Sequence, residues 1–334
     1  MRAVLLYVLL PLVLLLVAFY WWAQGHSVDN QLLHQEIAIS PNGLQREDST
    51  FSVMTYNLGY LSGMTNNLAQ KPSVDLFETN LEAARNLIKK WDPDLVGFQE
   101  IDFASNRSYN RNQLDSLSDG FAYAVQSVNW NKKYVPFPYW PPKVHFGRML
   151  SGQAVLSKFR VTQSQRLVLP GPEAAPFYYK AFYLDRLIQV VELEVKGSVV
   201  ILLNVHLEAF DQATRELQAR EVMQVVETYC QQYPTLLIGD FNARPPFATE
   251  QVTDEETIRM FMEHPLLSPA LPKSQYLKNE QQHFTFDTAK PYEKLDYIFF
   301  THQTIEPIET ITLDDAGEIS DHFPLLMRFK LTNR

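Results

Sequence analysis

Hydrophobic residues gather in seven stretches rich in β-branched and aromatic side chains, each bounded by turn residues, and each predicts a strand. They are 51–57 (FSVMTYN), 94–99 (DLVGFQ), 187–195 (LIQVVELEV), 199–206 (VVILLNVH), 235–240 (TLLIGD), 295–300 (LDYIFF) and 324–331 (PLLMRFKL). Helical spacing predicts two helices. In 77–91 Leu81, Ala84, Leu87 and Ile88 share a stripe, and in 212–229 Leu217, Val222, Val225 and Tyr229 do so. No period of repeat length runs through the chain, which disfavours a solenoid or propeller.

The N-terminus follows another pattern. Ala3 to Ala23 carries no charge, and about 21 residues at 1.5 Å each reach across a hydrocarbon core of roughly 30 Å. A cleaved signal peptide is the competing reading, but its apolar region is shorter and is followed by small residues. Here the stretch ends in Phe19, Tyr20, Trp21 and Trp22, which suits an interfacial belt. Arg2 precedes the stretch and AQGHSVDNQLL, without Lys or Arg, follows it, so the positive-inside tendency puts the bulk of the chain on the non-cytoplasmic side. The expectation is a single-pass transmembrane anchor at 1–24, a linker at 25–50 containing the turn-forming SPNG and QREDST, and one domain at 51–334.

Composition narrows the function. With 46% hydrophobic and 13% aromatic residues the chain of 334 can fill a sizeable core. A net charge of −9 lacks the basic footprint through which proteins displace counterions from nucleic acid, so nucleic acid is demoted as a partner. The one cysteine, Cys230, excludes an intrachain disulfide and a thiolate metal cluster.

Polar residues recur where hydrophobic strands stop: Asn57 after VMTY, Glu100 after LVGFQ, His206 after LLNV, Asp240 and Asn242 after LLIG, and Asp321 with His322 before the last apolar run. Any one of them could be a turn-former or a cap. Together they carry a chemical logic. Carboxylates such as Glu100 and Asp321 are hard oxygen ligands suited to Mg²⁺, and zinc fits less well without H-E-x-x-H or a cysteine cluster. Phosphoester hydrolysis needs an activated water, stabilised phosphoryl oxygens and help for the leaving oxygen.

TYNL (55–58), QE (99–100), NVHLEA (204–209), GDFNARP (239–245), LDYIF (295–299) and SDHFPL (320–325) resemble, in order, the motif series of the endonuclease/exonuclease/phosphatase superfamily. That is the metal-dependent fold of DNase I, neutral sphingomyelinases and inositol-polyphosphate phosphatases. The resemblance spans about residues 51–331 and implies an α/β fold, a four-layered α-β-β-α sandwich of two mostly antiparallel sheets. It implies Glu100 as a Mg²⁺ ligand (Mn²⁺ being the alternative) with Asn57 beside it and Asp321 near the metal. Asp240 would orient or deprotonate the attacking water, and Asn242 would hold a phosphoryl oxygen or that water. His322, held by Asp296, would donate to the phosphoryl group, and His206 would contact phosphate or assist the leaving oxygen. SGQAVLS (151–157) matches the family's G-x-A-x-L-S strand, and Arg186 would supply another phosphate contact.

The substrate is left to the aromatic stretches. Trp130, Tyr134, Phe137, Tyr139, Trp140 and Phe146 crowd around four prolines in 128–150, and PFYYKAFY (176–183) precedes Arg186. They suit either a rigid lid packed on the sandwich or a rim at a lipid headgroup boundary. With the apolar N-terminus they make a phospholipid or sphingolipid headgroup the expected substrate, and the chain is somewhat similar to bacterial relatives of proteins that remodel GPI-anchor lipids. A nuclease and a catalytically silent lipid-binding module are the alternatives.

Overall fold

The computed structural model describes residues 5–40, 49–66, 68–249 and 254–332. The strands are β1 (His34–Ala38), β2 (Thr50–Asn57), β3 (Leu95–Asp102), β4 (Tyr123–Val135), β5 (Gly147–Ser157), β6 (Arg160–Val168), β7 (Leu187–Val195), β8 (Ser198–His206), β9 (Thr235–Asp240), β10 (Leu267–Pro269), β11 (Asp296–Thr301), β12 (Ile305–Thr312) and β13 (Leu325–Leu331). They form two mixed sheets, β1-β4-β5-β3-β2-β13-β12 and β10-β11-β9-β8-β7-β6. Each holds one parallel pair, β2 with β3 and β8 with β9, and its other pairs are antiparallel.

The parallel pairs exist because a helix crosses over between their strands. Val74–Trp91 joins β2 to β3, starting at Ser73, whose side chain accepts from the Leu76 amide, and ending at Asp92 in a left-handed conformation. Gln212–Tyr229 joins β8 to β9, capped by Asp211 on the Thr214 amide. Alternation sends Val53, Leu95, Leu202, Leu236 and Ile298 into a core between the sheets. Met54, Tyr56, Val96 and Phe98 point the other way, onto Phe77, Leu81 and Ala84 of the first helix, and Leu203, Val205 and Leu237 onto Val222 and Val226 of the second. Strands buried on both faces read as continuous apolar runs, which is why these segments stood out in the sequence.

The N-terminus departs from expectation. The regular helix runs only from Leu10 to Ala23, 14 residues, with Pro11 in its first turn and a π-type turn at Leu5–Leu9 before it. At 1.5 Å per residue it covers about 21 Å, against a hydrocarbon core of roughly 30 Å. No helix among the described residues is long and apolar enough to cross a membrane, and this overturns the expected transmembrane helix and single-pass placement with the domain on the non-cytoplasmic side. The helix's last turn meets the aromatic loops instead: Phe19 and Trp22 pack on Tyr134, and Tyr20 on Phe177 and Phe182.

Within the expected linker, His34–Ala38 pairs with β4 as an edge strand; residues 41–48 lie outside the described set. The Pro-rich stretch is partly strand, since β4 and β5 occupy both of its ends. The glycine of SGQAVLS is demanded by packing: a Cβ on Gly152 would sit 1.9 Å from the Ser127 carbonyl oxygen. Gly152→Ala is therefore expected to cost about 3 kcal/mol, the upper end of overpacking penalties, read as a lowered urea midpoint with an unchanged slope.

Candidate active site

The carboxyl ends of the two parallel pairs face each other, and the polar strand ends meet there. Asn57 closes β2, His206 closes β8 and Asp240 closes β9. Asp296, opening β11, is the direct antiparallel neighbour of Asp240, and Asp321 with His322 precede β13 beside β2. Glu100 lies in an irregularity of β3 between Phe98 and Ile101 with φ of 50°. Such strained backbone in a non-glycine residue tends to collect at functional sites.

Asp240 is the centre of the constellation. Its Oδ2 accepts from Asn57 Nδ2 at 2.9 Å and its Oδ1 from the Asn242 backbone N–H at 2.9 Å. His206 Nε2 stands 3.5 Å and His322 Nε2 3.8 Å from the same Oδ2. On its far side His322 Nδ1 is 2.9 Å from Asp296 Oδ2. His206 Nε2 also lies 3.9 Å from Glu100, and Asn66 Nδ2 donates to both Glu100 (3.1 Å) and Asp321 (3.2 Å). Arg186, 5% exposed, has Glu208 3.6 Å from its Nε, and its Nε and Nη1 have no hydrogen-bond partner among the described residues.

Burial pushes the Asp240 carboxyl up; the neighbouring His322 works against that, Asp296 adds to it, and hydrogen bonds from Asn57 and Asn242 partly offset it, leaving Asp240 at about 7. For His322, burial favours the neutral ring, but the charges of Asp296 and Asp240 and the Asp296 hydrogen bond reverse this and hold the imidazolium well above its ordinary value. His206 goes the other way: burial, Arg186 and His322 hold it well below, so it is a neutral imidazole. Burial and Asp321 raise Glu100, against His322, Arg107 and Arg186. The site thus pairs a carboxylate poised near neutrality with one charged and one neutral imidazole, the divergence expected of acid and base groups.

Two sets of donors could hold a cation. Asp240, Asp296 and His322 offer ligand atoms within 4.8 Å of one another, but His322 is held as an imidazolium against Asp296 and a protonated ring nitrogen cannot ligate. Glu100 and Asp321 fit better, as hard carboxylate oxygens that share one amide donor. Gly59, at φ 48°, leaves the clearance: a Cβ there would come within 2.8 Å of Asp321 Oδ1.

All of Asn57, Glu100, His206, Asp240, Asn242, Asp296, Asp321 and His322 are gathered here. Two amides face other partners than those foreseen. Both groups of Asn57 are engaged, by Asp240 and by the Gly59 N–H, and Asn242 Nδ2 donates to the Leu207 carbonyl. Sequence reasoning missed Asn66, Glu208 and Ser320, whose hydroxyl ties the Asn57 carbonyl and lies 3.3 Å from Asp321. Glu208 and Ser320 sit inside NVHLEA and SDHFPL and could have been found there; Asn66, in a loop without pattern, could not.

The sequence profile of the Endonuclease/Exonuclease/phosphatase family matches residues 54–322. No curated protein matches the chain. Among solved structures it is similar to an endonuclease/exonuclease/phosphatase from Beutenbergia cavernae (18% identity, TM-score 0.63, 86% of this chain and 72% of that one). It is also similar to the human Nocturnin catalytic domain with bound sulfate (18%, 0.56, 92% and 100%) and to D. rerio TDP2 complexed with single strand DNA product (16%, 0.58, 85% and 100%). At these identities the likeness is one of fold.

Asp296→Asn should lower the pH at which His322 deprotonates by at least about one unit, the usual effect of an adjacent opposite charge. Imidazole ¹⁵N NMR reads this directly; an unchanged His322 titration would mean that Asp296 does not set its charge.

Proposed function

The chain belongs to the Endonuclease/Exonuclease/phosphatase family, whose members are metal-dependent hydrolases of phosphoester bonds, and on that premise we propose that it is a divalent-metal-dependent phosphoesterase acting on a phospholipid or sphingolipid headgroup. The observation that carries the reaction class is Asp240, buried, raised to about 7 and faced by two imidazoles of opposite charge preference.

In this reading Asp240 accepts a proton from water, and the water oxygen bonds to phosphorus as the ester P–O bond breaks. His322, charged and fixed by Asp296, donates to a phosphoryl oxygen, and the two unsatisfied N–H groups of Arg186 receive another. His206 holds the departing oxygen, which leaves with a proton from solvent. Asn57 and the Asn242 backbone keep the Asp240 carboxylate aimed. Glu100 and Asp321 would hold the cation, Mg²⁺ or Mn²⁺, which would supply neutralisation of the phosphoryl charge.

The substrate class rests on the surface beside the site. Tyr139 (72%), Trp140 (78%), Phe177 (72%) and Phe210 (85%) are exposed, whereas Trp130 is buried with its indole N–H on the Phe182 carbonyl. The aromatic cluster therefore divides into a packed foundation, as in the lid reading, and an outward rim. The rim is tied to the site through Glu208, which accepts from the Tyr183 hydroxyl and the Phe210 N–H while facing Arg186. Aromatic side chains that stay exposed beside a phosphate site suit a substrate with an apolar body and a charged head. A small surface recess lined by Lys71, Arg107, His145 and Phe146 adjoins Asn66.

A nucleic acid strand is the second reading, favoured by the fold shared with D. rerio TDP2 complexed with single strand DNA product, since the same rings could stack bases. The net charge of −9 weighs against it.

The test is the full chain with Mg²⁺ on sphingomyelin and phosphoinositide micelles, single-stranded and plasmid DNA, and a soluble phosphodiester. Asp240→Asn, isosteric but unable to take up a proton, should lower kcat by about 10³-fold in a variant whose circular dichroism shows it still folded, and EDTA should abolish turnover. Full activity in that variant removes Asp240 from its role. Trp140→Ala combined with Phe177→Ala should reduce micellar lipid turnover while sparing the soluble diester; cleavage of DNA alone would replace the lipid reading with the nuclease one.

A further inference from the structure

The loop leaving β2 is buried from Gly59 to Gly63 and tightly constrained. Gly59, Tyr60, Leu61 and Gly63 all have positive φ, a curl that L-residues enter at a cost. The curl is pinned from beneath by buried side chains: Gln113 donates to the Tyr60 carbonyl and Asn80 to the Leu61 carbonyl. Thr65 closes the turn on the Ser62 carbonyl and the Asn66 amide on that of Gly63. The outcome of this construction is the position of one side chain. Asn66 Nδ2 stands 3.1 Å from Glu100 and 3.2 and 3.3 Å from the two oxygens of Asp321.

A carboxamide between two carboxylates has two faces. Its NH₂ donates to both, as here, and a half-turn of the amide presents Oδ1, a neutral hard oxygen of the kind that completes divalent cation sites beside carboxylates. Glycine at 59 makes room for it, because a Cβ there would lie 3.2 Å from Asn66 Nδ2 as well as against Asp321. On its other side Asn66 borders a small recess it shares with Arg107, His145 and Phe146.

We propose that Asn66 is a further ligand of the divalent cation: its amide turns so that Oδ1 joins Glu100 and Asp321 on the ion, and cation binding thereby fixes the 59–66 loop. This rests on the phosphoesterase reading for the location of the ion, but not for its test. Binding of Mn²⁺ alone to the full chain is followed by calorimetry, with no substrate present, beside wild type, Asn66→Ala and Asn66→Asp.

A ligand role predicts about tenfold weaker Mn²⁺ binding in Asn66→Ala, in line with the loss of one coordinating or orienting group. It predicts tighter binding in Asn66→Asp, which keeps the shape and offers only oxygen. If the amide merely ties the two carboxylates together, it competes with the ion; Asn66→Ala then binds Mn²⁺ as well as wild type or better, and the proposal falls. Asn66→Asp binding more weakly than wild type also overturns it, and that variant decides the matter should Asn66→Ala fail to fold. Wild type that takes up no Mn²⁺ overturns the metal-dependent reading itself, whereas Mn²⁺ uptake that follows the predicted order without turnover on any phosphoester would leave Asn66 a ligand and retire the proposed activity.

Discussion

Everything at the site depends on a carboxylate buried between two sheets. Asp240 is 1% exposed, and a carboxylate withdrawn from water is costly unless donors meet its oxygens. One donor, the Asn242 N–H, comes from its own strand end; the other, Asn57 Nδ2, comes from the opposite sheet. The two sheets can therefore close over Asp240 in only one relative position without leaving it unsatisfied. A second pair enforces the same register deeper in: Gln99 of the first sheet donates to Asn204 of the second at 2.6 Å, while Asn204 returns a bond to the Phe98 carbonyl. Hydrophobic packing brings the sheets together, and these polar contacts select their alignment.

That alignment divides the chemistry. The first sheet brings Asn57, Glu100, Asp321 and His322; the second brings His206, Asp240 and Asp296. The oxygen ligands suited to a cation come from the first sheet, and the group suited to taking a proton comes from the second. His322 is the exception: it projects from the first sheet and is charged by two carboxylates of the second. Neither sheet alone has a site, so the arrangement is a property of the interface between them.

The sequence revealed strands buried on both faces because they leave a continuous apolar run, and each of the seven stretches forms a strand. It concealed those whose residues alternate at an edge or beside solvent. β1, β6 and β12 carry mostly half-buried or exposed side chains, and β4 hides polar residues such as Gln126, Asn129 and Asn131 in buried positions, so hydropathy passes over them. The positions where strands end were equally legible, since a polar residue after a buried run is conspicuous, and seven of the eight gathered residues stand out this way; Asp296, which opens a strand, came only with the family resemblance. Asn66 was not, because it reaches the site through a loop whose path is set by Gln113 and Asn80 from elsewhere in the chain. Spacing carries no trace of such a dependence.

The N-terminal stretch shows where hydropathy misleads. An uncharged run of this length satisfies a composition test for spanning, yet composition does not fix where a regular helix begins. Pro11 fits comfortably in a first turn and poorly in a helix interior, so the α-helix starts at Leu10, and Leu5–Leu9 before it form a π-type turn. The aromatics at its far end, expected at an interface, find partners within the protein: Tyr20 lies against Phe177 and Phe182, on the short helix that runs into Tyr183, whose hydroxyl reaches Glu208 beside Arg186. The apolar N-terminus is thus connected through four residues to the Arg186 guanidinium. A contact of this kind gives the segment a place in the architecture of the site that its hydrophobicity alone could not have assigned.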